Sequence, residues 1–124
     1  MNIKKPIKIT GVGKHLPKTV LSKDIEAKYN IPLGWTEKNS GVHQRHWTGD
    51  ESVGYMGAKA AQSALDNSNT DIKEIDLLIS AGASFDYIIP NQAAVIKSQI
   101  KNADQYHFPA LDINTTCLSF LTAF

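Results

Sequence analysis

The order of apolar segments along the chain predicts an α/β layered fold. Residues 75–79 form a short and nearly continuous apolar run, which is expected of a strand buried on both faces of a parallel sheet. An apolar repeat of helical period precedes this run, and a second repeat leads to another apolar run over residues 108–113. Helices that alternate with strands through short connections are typical of α/β folds. The 124 residues suffice for one domain at most.

The first part of the chain predicts one strand and one short helix. Residues 7–12 alternate apolar and polar side chains, as in a strand with one buried face. Ser22 is then expected to cap a helix over residues 23–29, in which Glu26 lies near the positively polarised start. Turn-forming residues follow this helix and predict a loop, in which Trp35 lies.

A longer helix is predicted in the middle of the chain. Thr48 and Glu51 match a capping box, in which a hydroxyl and a carboxylate each accept a backbone N–H at the helix start. Apolar side chains recur at helical spacing from Val53 to Ala64. One side of this helix carries small residues that let a neighbouring element approach closely: Gly57, Ala60, Ala61 and Ala64.

The last part of the chain predicts a helix between two strands, followed by the start of another helix. Pro90 suits the first position of the helix that leads to the strand over residues 108–113. Residues 118–124 resemble the opening turns of a buried helix, yet no helix-ending signal follows them. An exposed helix of that length is unstable in water. We therefore expect the front part of a longer fold, whose remainder is absent or is a separate chain.

The composition excludes several classes of protein. One cysteine cannot form a disulfide within the chain, and no cysteine or histidine spacing fits a structural zinc site. No apolar stretch reaches the ~18 residues that cross a bilayer, and residues 7–12 are too short for the core of a signal peptide. We therefore expect a cytoplasmic protein that has no membrane partner.

Charge is unevenly distributed, although the formal net charge is only +1. Residues 1–62 contain ten Lys or Arg against five Asp or Glu, whereas residues 63–124 contain three against seven. The basic half would attract an anionic partner, such as a ligand that carries phosphate, or it is simply a solvated surface. The excess is too mild for a nucleic-acid-binding protein, so no nucleic-acid partner is expected.

Cys117 is the strongest candidate for chemistry. It lies where a predicted strand turns into a predicted helix. The positive end of a helix and its free N–H groups favour the thiolate, which is the nucleophilic form. Nucleophile elbows share this strand–turn–helix geometry. The alternative is a small buried hydrophobic residue, and the chain offers no obvious base for the thiol.

Three other patterns are weaker. Gly11 and Gly13 begin like a dinucleotide-binding fingerprint, but the third glycine is missing, so turn glycines explain them better. His43 and His46 have the spacing of one helical face, but no carboxylate or cysteine partner is evident, and no metal site is predicted. Trp35 suits either a stacking platform for an aromatic ligand or an anchor for its loop.

With these residues in place, the chain resembles the N-terminal portion of a β-ketoacyl-acyl carrier protein synthase III, a condensing enzyme of the thiolase superfamily. The segments that carry the resemblance follow one another in register: residues 9–13, Leu16 with Pro17, Trp35 with Gly41, residues 42–46, residues 56–61, residues 75–79, Ile89 with Pro90, and residues 112–120. The resemblance implies a thiolase-like layered fold (αβαβα). Residues 1–124 would form an incomplete N-terminal domain of it, and the C-terminal half would lie outside this chain.

The resemblance also implies an activity. Cys117 would take an acyl group from a thioester, and the acyl-enzyme would undergo decarboxylative Claisen condensation with malonyl-acyl carrier protein in fatty acid or related biosynthesis. The histidine and asparagine that stabilise the carbanion lie in the missing half, so this chain alone should not complete the condensation. Acyl-CoA and malonyl-acyl carrier protein are substrates, and no cofactor is implied. The partner is a second copy in a homodimer, or a separate chain that supplies the other half.

Three substrate-binding positions follow from the same resemblance. Trp35 matches the tryptophan that stacks on the adenine of CoA. Asn39 stands where an arginine usually supports CoA, which leaves acyl carrier protein as an alternative donor of the acyl group. Ile89 matches the residue, often Phe, that crosses the dimer interface to line the partner's acyl pocket.

Two other functions remain open at this point. One is a sister condensation on the same scaffold, such as head-to-head acyl condensation or the hydroxymethylglutaryl-CoA synthase reaction. The other is a non-catalytic subunit that binds a partner chain. A slow, ordinary thiol at Cys117 would favour the subunit, whereas fast labelling that an acyl thioester blocks would favour an enzyme.

Overall fold

The structure is a computed structural model that describes residues 7–124. Its elements are β1 (Lys18–Leu21), α1 (Ser22–Lys28), α2 (Trp35–Ser40), β2 (Gln44–Trp47), α3 (Val53–Ser68), β3 (Leu78–Ala81), α4 (Gln92–Lys97), β4 (Ala110–Ile113) and α5 (Ser119–Ala123). Short 3-10 turns span Ile72–Glu74, Ala103–Gln105 and Thr116–Leu118. None of the helices in residues 7–124 combines the length and the apolar character that a membrane span requires.

The chain divides into two compact units. The small unit consists of residues 16–52, and the large unit contains residues 7–15 and 53–124. The small unit pairs β1 with β2 in antiparallel fashion, with Thr19 opposite His46. Both short helices of this unit, α1 and α2, pack against each other.

Helix α1 confirms the predicted short helix, but the predicted cap is wrong. Ser22 is the first helical residue, and Leu21 occupies the cap position without a side-chain hydrogen bond. The Ser22 hydroxyl instead donates to the Val42 carbonyl oxygen at 2.5 Å. Ser22 is already inside the helix, so the extended backbone that a cap residue adopts falls to Leu21 instead.

In the large unit, β3 and β4 form a parallel pair, with Leu78 opposite Ala110. Helix α4 lies between them in sequence and packs on both strands. This β3–α4–β4 arrangement confirms the α/β prediction. Buried apolar residues from α3 and from the segments that follow α3 and α4 form the core: Ala58, Ile72, Ile100, Ala103 and Phe108.

Helix α3 confirms the predicted long helix, but its start differs from the expected one. The predicted capping box at Thr48 and Glu51 is wrong, because the helix begins only at Val53. The N–H groups of Val53 and Gly54 donate to Oδ1 and Oδ2 of Asp86, at 2.8 and 2.6 Å. A carboxylate from a distant loop therefore holds the start of this helix.

The strand predicted over residues 7–12 is not formed. The segment lies along α3 instead, where a Cβ at Gly11 would approach the Ala64 carbonyl oxygen to 2.5 Å and one at Gly13 would collide with Ala60. The small residues of α3 thus receive a close neighbour, as predicted. On the same helix, a Cβ at Gly57 would lie 2.8 Å from Cδ1 of Ile96 in α4.

The later elements agree with the sequence except at their ends. Strand β3 starts three residues later than expected, because its pairing with β4 begins only at Leu78, opposite Ala110. Pro90 is not the first helical residue, since Asn91 is the cap of α4 and its side chain accepts the N–H of Ala94. Helix α5 forms where a helix was predicted, but the large apolar residues in it and next to its ends are exposed: Leu118, Phe120, Leu121 and Phe124.

Asp86→Asn is expected to lower the free energy of unfolding by about 1–2 kcal/mol, the usual cost of losing a helix cap. The amide offers one oxygen where the carboxylate offers two to Val53 and Gly54. Urea unfolding followed by circular dichroism measures the change. Asp76→Asn is the matched control, because it makes the same substitution at an exposed carboxylate. Equal midpoints for the two variants would contradict the role assigned to Asp86.

Candidate functional site

Cys117 lies in the turn that joins β4 to α5. Strand β4 ends at Ile113, the 3-10 turn spans Thr116–Leu118, and α5 begins at Ser119. The turn therefore has the strand–turn–helix order that the sequence predicts. The thiol is free and the residue is exposed, which leaves it open to a reagent or substrate.

The residue before Cys117 has an unusual backbone conformation. Thr116 has φ of 52°, in the left-handed region that a β-branched residue rarely adopts. Such a conformation costs about 1–3 kcal/mol, so the surrounding contacts must hold it. One of them is the Thr116 N–H, which donates to Oδ1 of Asn114 at 3.0 Å.

Ser119 holds the same turn from the other side. Its side chain is buried, with only 3% of its surface exposed. The Ser119 hydroxyl donates to the Thr116 carbonyl oxygen at 2.8 Å and accepts the Thr115 N–H at 3.0 Å. The sequence did not predict that Ser119 would hold this turn, although a polar residue inside the apolar segment 118–124 is a signal that could have indicated it.

A cavity of about 480 Å³ opens beside this turn. Its walls come from the loop after β3 and from the end of β4: Phe85, Asp86, Tyr87, Ile88, Asp112 and Asn114. Asn114 also holds Thr116, so the cavity and the turn that carries Cys117 share a wall. Ile89 is outside the lining of this cavity, and 86% of its surface is exposed.

A buried hydrogen-bond network fixes the loop that carries Ile89. The N–H groups of Gln92 and Ala93, at the start of α4, donate to the two carboxylate oxygens of Asp112 at 2.7 Å each. The Gln92 side chain, which is 1% exposed, accepts the N–H of Asp86 at 2.7 Å and donates to its Oδ2 at 3.2 Å. Both ends of the loop are therefore tied to the strand that leads to Cys117.

Trp35 and Asn39 lie together in the small unit. Trp35 is the first residue of α2, so its predicted place in a loop is wrong, and 52% of its surface is exposed. The Asn39 side-chain amide donates to the Trp35 carbonyl oxygen at 2.7 Å, one helical turn away. Asn39 thus holds the backbone of Trp35.

Glu26 is the buried charge of the small unit, with 1% of its surface exposed. Its two oxygens accept the N–H groups of Thr36 and Gly34, at 2.7 Å each. The Thr36 N–H, the Gly34 N–H and the more distant Arg45 guanidinium together hold the pKa of Glu26 below its ordinary value of 4.5, against the opposing effect of burial. The sequence placed Glu26 only near the start of α1 and missed this role.

The two histidines that the sequence considered for a metal differ from expectation. His46 is in β2, where its Nδ1 lies 2.8 Å from the Pro17 carbonyl oxygen. His43 does have a carboxylate neighbour, because its Nδ1 lies 3.2 Å from Oε2 of Glu37. Within residues 7–124 no group of three potential metal ligands forms.

Comparison with known proteins finds enzymes whose sequences are similar to this chain. Over 117 residues, 94% of its length, the chain is 32% identical to β-ketoacyl-[acyl-carrier-protein] synthase III of Aquifex aeolicus and covers 37% of that protein. It is 36% identical over 118 residues to the protein of the same name from Ehrlichia canis, covering 93% of this chain and 36% of that one. Over about a third of their length, this chain is similar to the β-ketoacyl-[acyl-carrier-protein] synthases III. No protein-family profile matches it.

Solved structures agree with the relationship to synthase III. The crystal structure of 3-oxoacyl-[acyl-carrier-protein] synthase III from Aquifex aeolicus matches with a TM-score of 0.83 and 30% identity, over 94% of this chain and 37% of that one. A structure of OleA from Xanthomonas campestris matches with a TM-score of 0.75 and 26% identity, over 93% and 37%. The predicted resemblance and the thiolase-like α/β fold are confirmed, and the chain spans about a third of the length of these relatives.

The Glu26 carboxylate is expected to stabilise the protein above pH 4.5 and to lose this contribution in acid. The unfolded chain binds the proton near the ordinary pKa of 4.5, whereas the folded pKa lies lower. The contribution is therefore complete above 4.5 and disappears as the pH falls through the folded pKa. Urea midpoints from about pH 6 to about pH 3, a range that brackets the pKa of Glu, measure the loss.

Glu26→Gln should remove this part of the pH dependence. Glu37→Gln is the matched control, because it changes an exposed glutamate of the same unit. A Glu26→Gln protein whose midpoints follow the wild-type pH profile would show that the Glu26 carboxylate does not stabilise the fold.

Proposed function

We propose that this chain is part of a condensing acyltransferase and that Cys117 receives the acyl group. The exposed thiol at a strained strand–turn–helix junction is the single observation that carries the proposal. Similarity to β-ketoacyl-[acyl-carrier-protein] synthase III over 94% of the chain supports it. Acyl transfer needs a nucleophile that a thioester can reach, and the position of Cys117 meets that need.

The proposed first step is a thioester exchange. The Cys117 thiolate attacks the thioester carbonyl carbon, a new C–S bond forms, and the thiolate of CoA or of the carrier protein leaves. Backbone N–H groups near the sulfur would stabilise the oxyanion of the tetrahedral intermediate. The second step, decarboxylative condensation with malonyl-acyl carrier protein, would rely on a histidine and an asparagine outside these 124 residues.

The substrate positions are proposed on the same basis. The half-exposed indole of Trp35 would stack on the adenine of acyl-CoA. Asn39 would support that platform through the Trp35 carbonyl rather than clamp CoA as an arginine would. The exposed side chain of Ile89 would enter the acyl pocket of a second copy in a homodimer. A cytoplasmic location stays a prediction from the sequence.

A sister condensation on the same scaffold is the second candidate, and one observation favours it. The likeness to OleA is nearly as complete over this chain as the likeness to synthase III. Acyl transfer to Cys117 is the shared first step of both candidates. Analysis of the product that the complete assembly releases from acyl-CoA, with and without malonyl-acyl carrier protein, separates them.

Cys117→Ser is expected to abolish acylation of the protein, because a hydroxyl lacks the accessible anionic form of a thiol. Intact mass after incubation with acetyl-CoA measures the added acetyl group. Ser98→Ala, a change at an exposed serine of the large unit, is the control and should acylate like the wild type. Acylation of Cys117→Ser at the wild-type rate would exclude this nucleophile. If the wild-type Cys117 thiol reacts slowly with a thiol reagent and acetyl-CoA does not protect it from that reagent, a non-catalytic subunit would be favoured.

Trp35→Ala is expected to weaken CoA binding by about 1–2 kcal/mol, or roughly 5- to 30-fold in Kd, if the indole stacks on adenine. Isothermal titration with CoA measures the affinity. Trp47→Ala is the matched control, because Trp47 is the other tryptophan of the small unit and 41% of its surface is exposed. Equal affinities for the wild type and Trp35→Ala would favour acyl carrier protein as the donor.

A further inference from the structure

Three hydrogen bonds hold the main chain around Trp35. The residue before it, Gly34, and the residue after it, Thr36, both donate their N–H groups to the buried Glu26 carboxylate at 2.7 Å. The Trp35 carbonyl oxygen accepts the side-chain amide of Asn39 at 2.7 Å. The indole itself remains half exposed. The point and direction at which this side chain leaves the backbone are therefore set by the main chain around it.

The two bonds to Glu26 constrain the direction in which Trp35 points. Gly34 has φ of 81°, a left-handed conformation that other residues rarely adopt, so the chain turns sharply just before the indole. One carboxylate that accepts the N–H groups on both sides of Trp35 fixes this turn relative to α1. A platform that is already in place loses less conformational entropy when a ligand stacks on it.

We propose that Glu26 is a positioning residue, which holds Trp35 in the orientation that binds the adenine of CoA. This inference rests on the proposed function, because it takes Trp35 as the adenine platform. Glu26 itself is buried and contacts backbone groups, so it acts through Trp35 rather than on the ligand. The N–H groups of Thr36 and Gly34 hold the pKa of its carboxyl below the ordinary value of 4.5, against the effect of burial.

A double-mutant cycle separates this role from a merely structural one. Four proteins are compared: the wild type, Glu26→Gln, Trp35→Ala and the double variant. If Glu26 acts through Trp35, Glu26→Gln raises the Kd for CoA about 3- to 10-fold in the wild type and less than about twofold in Trp35→Ala. If Glu26 only supports the fold, its substitution weakens binding by the same factor in both backgrounds, and the proposal is overturned.

The probe is CoA itself, and adenosine 3′,5′-bisphosphate is a second probe that lacks the pantetheine arm. The Kd of both probes should rise by the same factor in Glu26→Gln, because the proposed contact is with the adenine. Glu37→Gln is the matched control, since it makes the same change at an exposed glutamate on α2 and should bind both probes like the wild type. A loss confined to CoA would overturn the proposal, because the defect would then lie elsewhere.

A measurement without ligand tests the positioning directly. In a Trp47→Phe background, acrylamide quenching reports only on Trp35, and hydrogen exchange reports on the N–H groups of Gly34 and Thr36. In Glu26→Gln, or in Glu26→Asp if the amide variant fails to fold, both N–H groups should exchange faster and acrylamide should quench the Trp35 fluorescence more readily. If neither variant folds, acidification of the folded wild type through the pKa of Glu26 serves the same purpose. Unchanged exchange and quenching would overturn the proposal.

The two failures are distinguishable. If the wild type binds neither probe, the proposed role of Trp35 in CoA binding fails, and the claim that Glu26 orients a CoA-binding surface fails with it. If the wild type binds CoA and Trp35→Ala does not, while Glu26→Gln matches the wild type, only the inference about Glu26 is wrong.

Discussion

The structure depends on one repeated interaction, in which a side-chain carboxylate accepts two backbone N–H groups at the start of a helix. The first N–H groups of a helix lack partners within it, and their combined dipole attracts negative charge. Asp86 supplies the carboxylate for α3, Asp112 for α4 and Glu26 for α2. Because each carboxylate binds with both oxygens, it fixes the direction of the helix start as well as its position.

The same carboxylates connect the scaffold to the candidate site. Asp112 is in β4, so the strand that leads to Cys117 is the strand that anchors α4. Asp86 is in the loop that leads to Ile89, and Gln92 joins the two carboxylates, because its side-chain amide donates to Asp86 and its backbone N–H donates to Asp112. The placement of the nucleophile and of the proposed acyl-pocket residue is therefore a property of one network rather than of two separate loops.

The features that could be predicted from the sequence are those that a short pattern of residues determines. The apolar repeat that defines α3, and the strand–turn–helix context of Cys117, can be seen in a few consecutive residues. The helix starts could not be predicted in this way, because Asp86 lies 33 residues from Val53 and displaces the local capping box at Thr48. Residues 7–12 have the alternation of a strand, but a strand also needs a partner, and glycines that fit closely against α3 place this segment along the helix instead.

The turn at Cys117 shows how polar side chains hold a strained backbone. Asn114, Thr115 and Thr116 precede the cysteine and form the turn that leads to it. A β-branched residue at the positive φ of Thr116 is strained, but the Asn114 side chain accepts its N–H and the buried Ser119 hydroxyl donates to its carbonyl oxygen. Polar contacts on both sides of Thr116 thus offset the strain, and they fix the backbone from which the exposed Cys117 side chain projects.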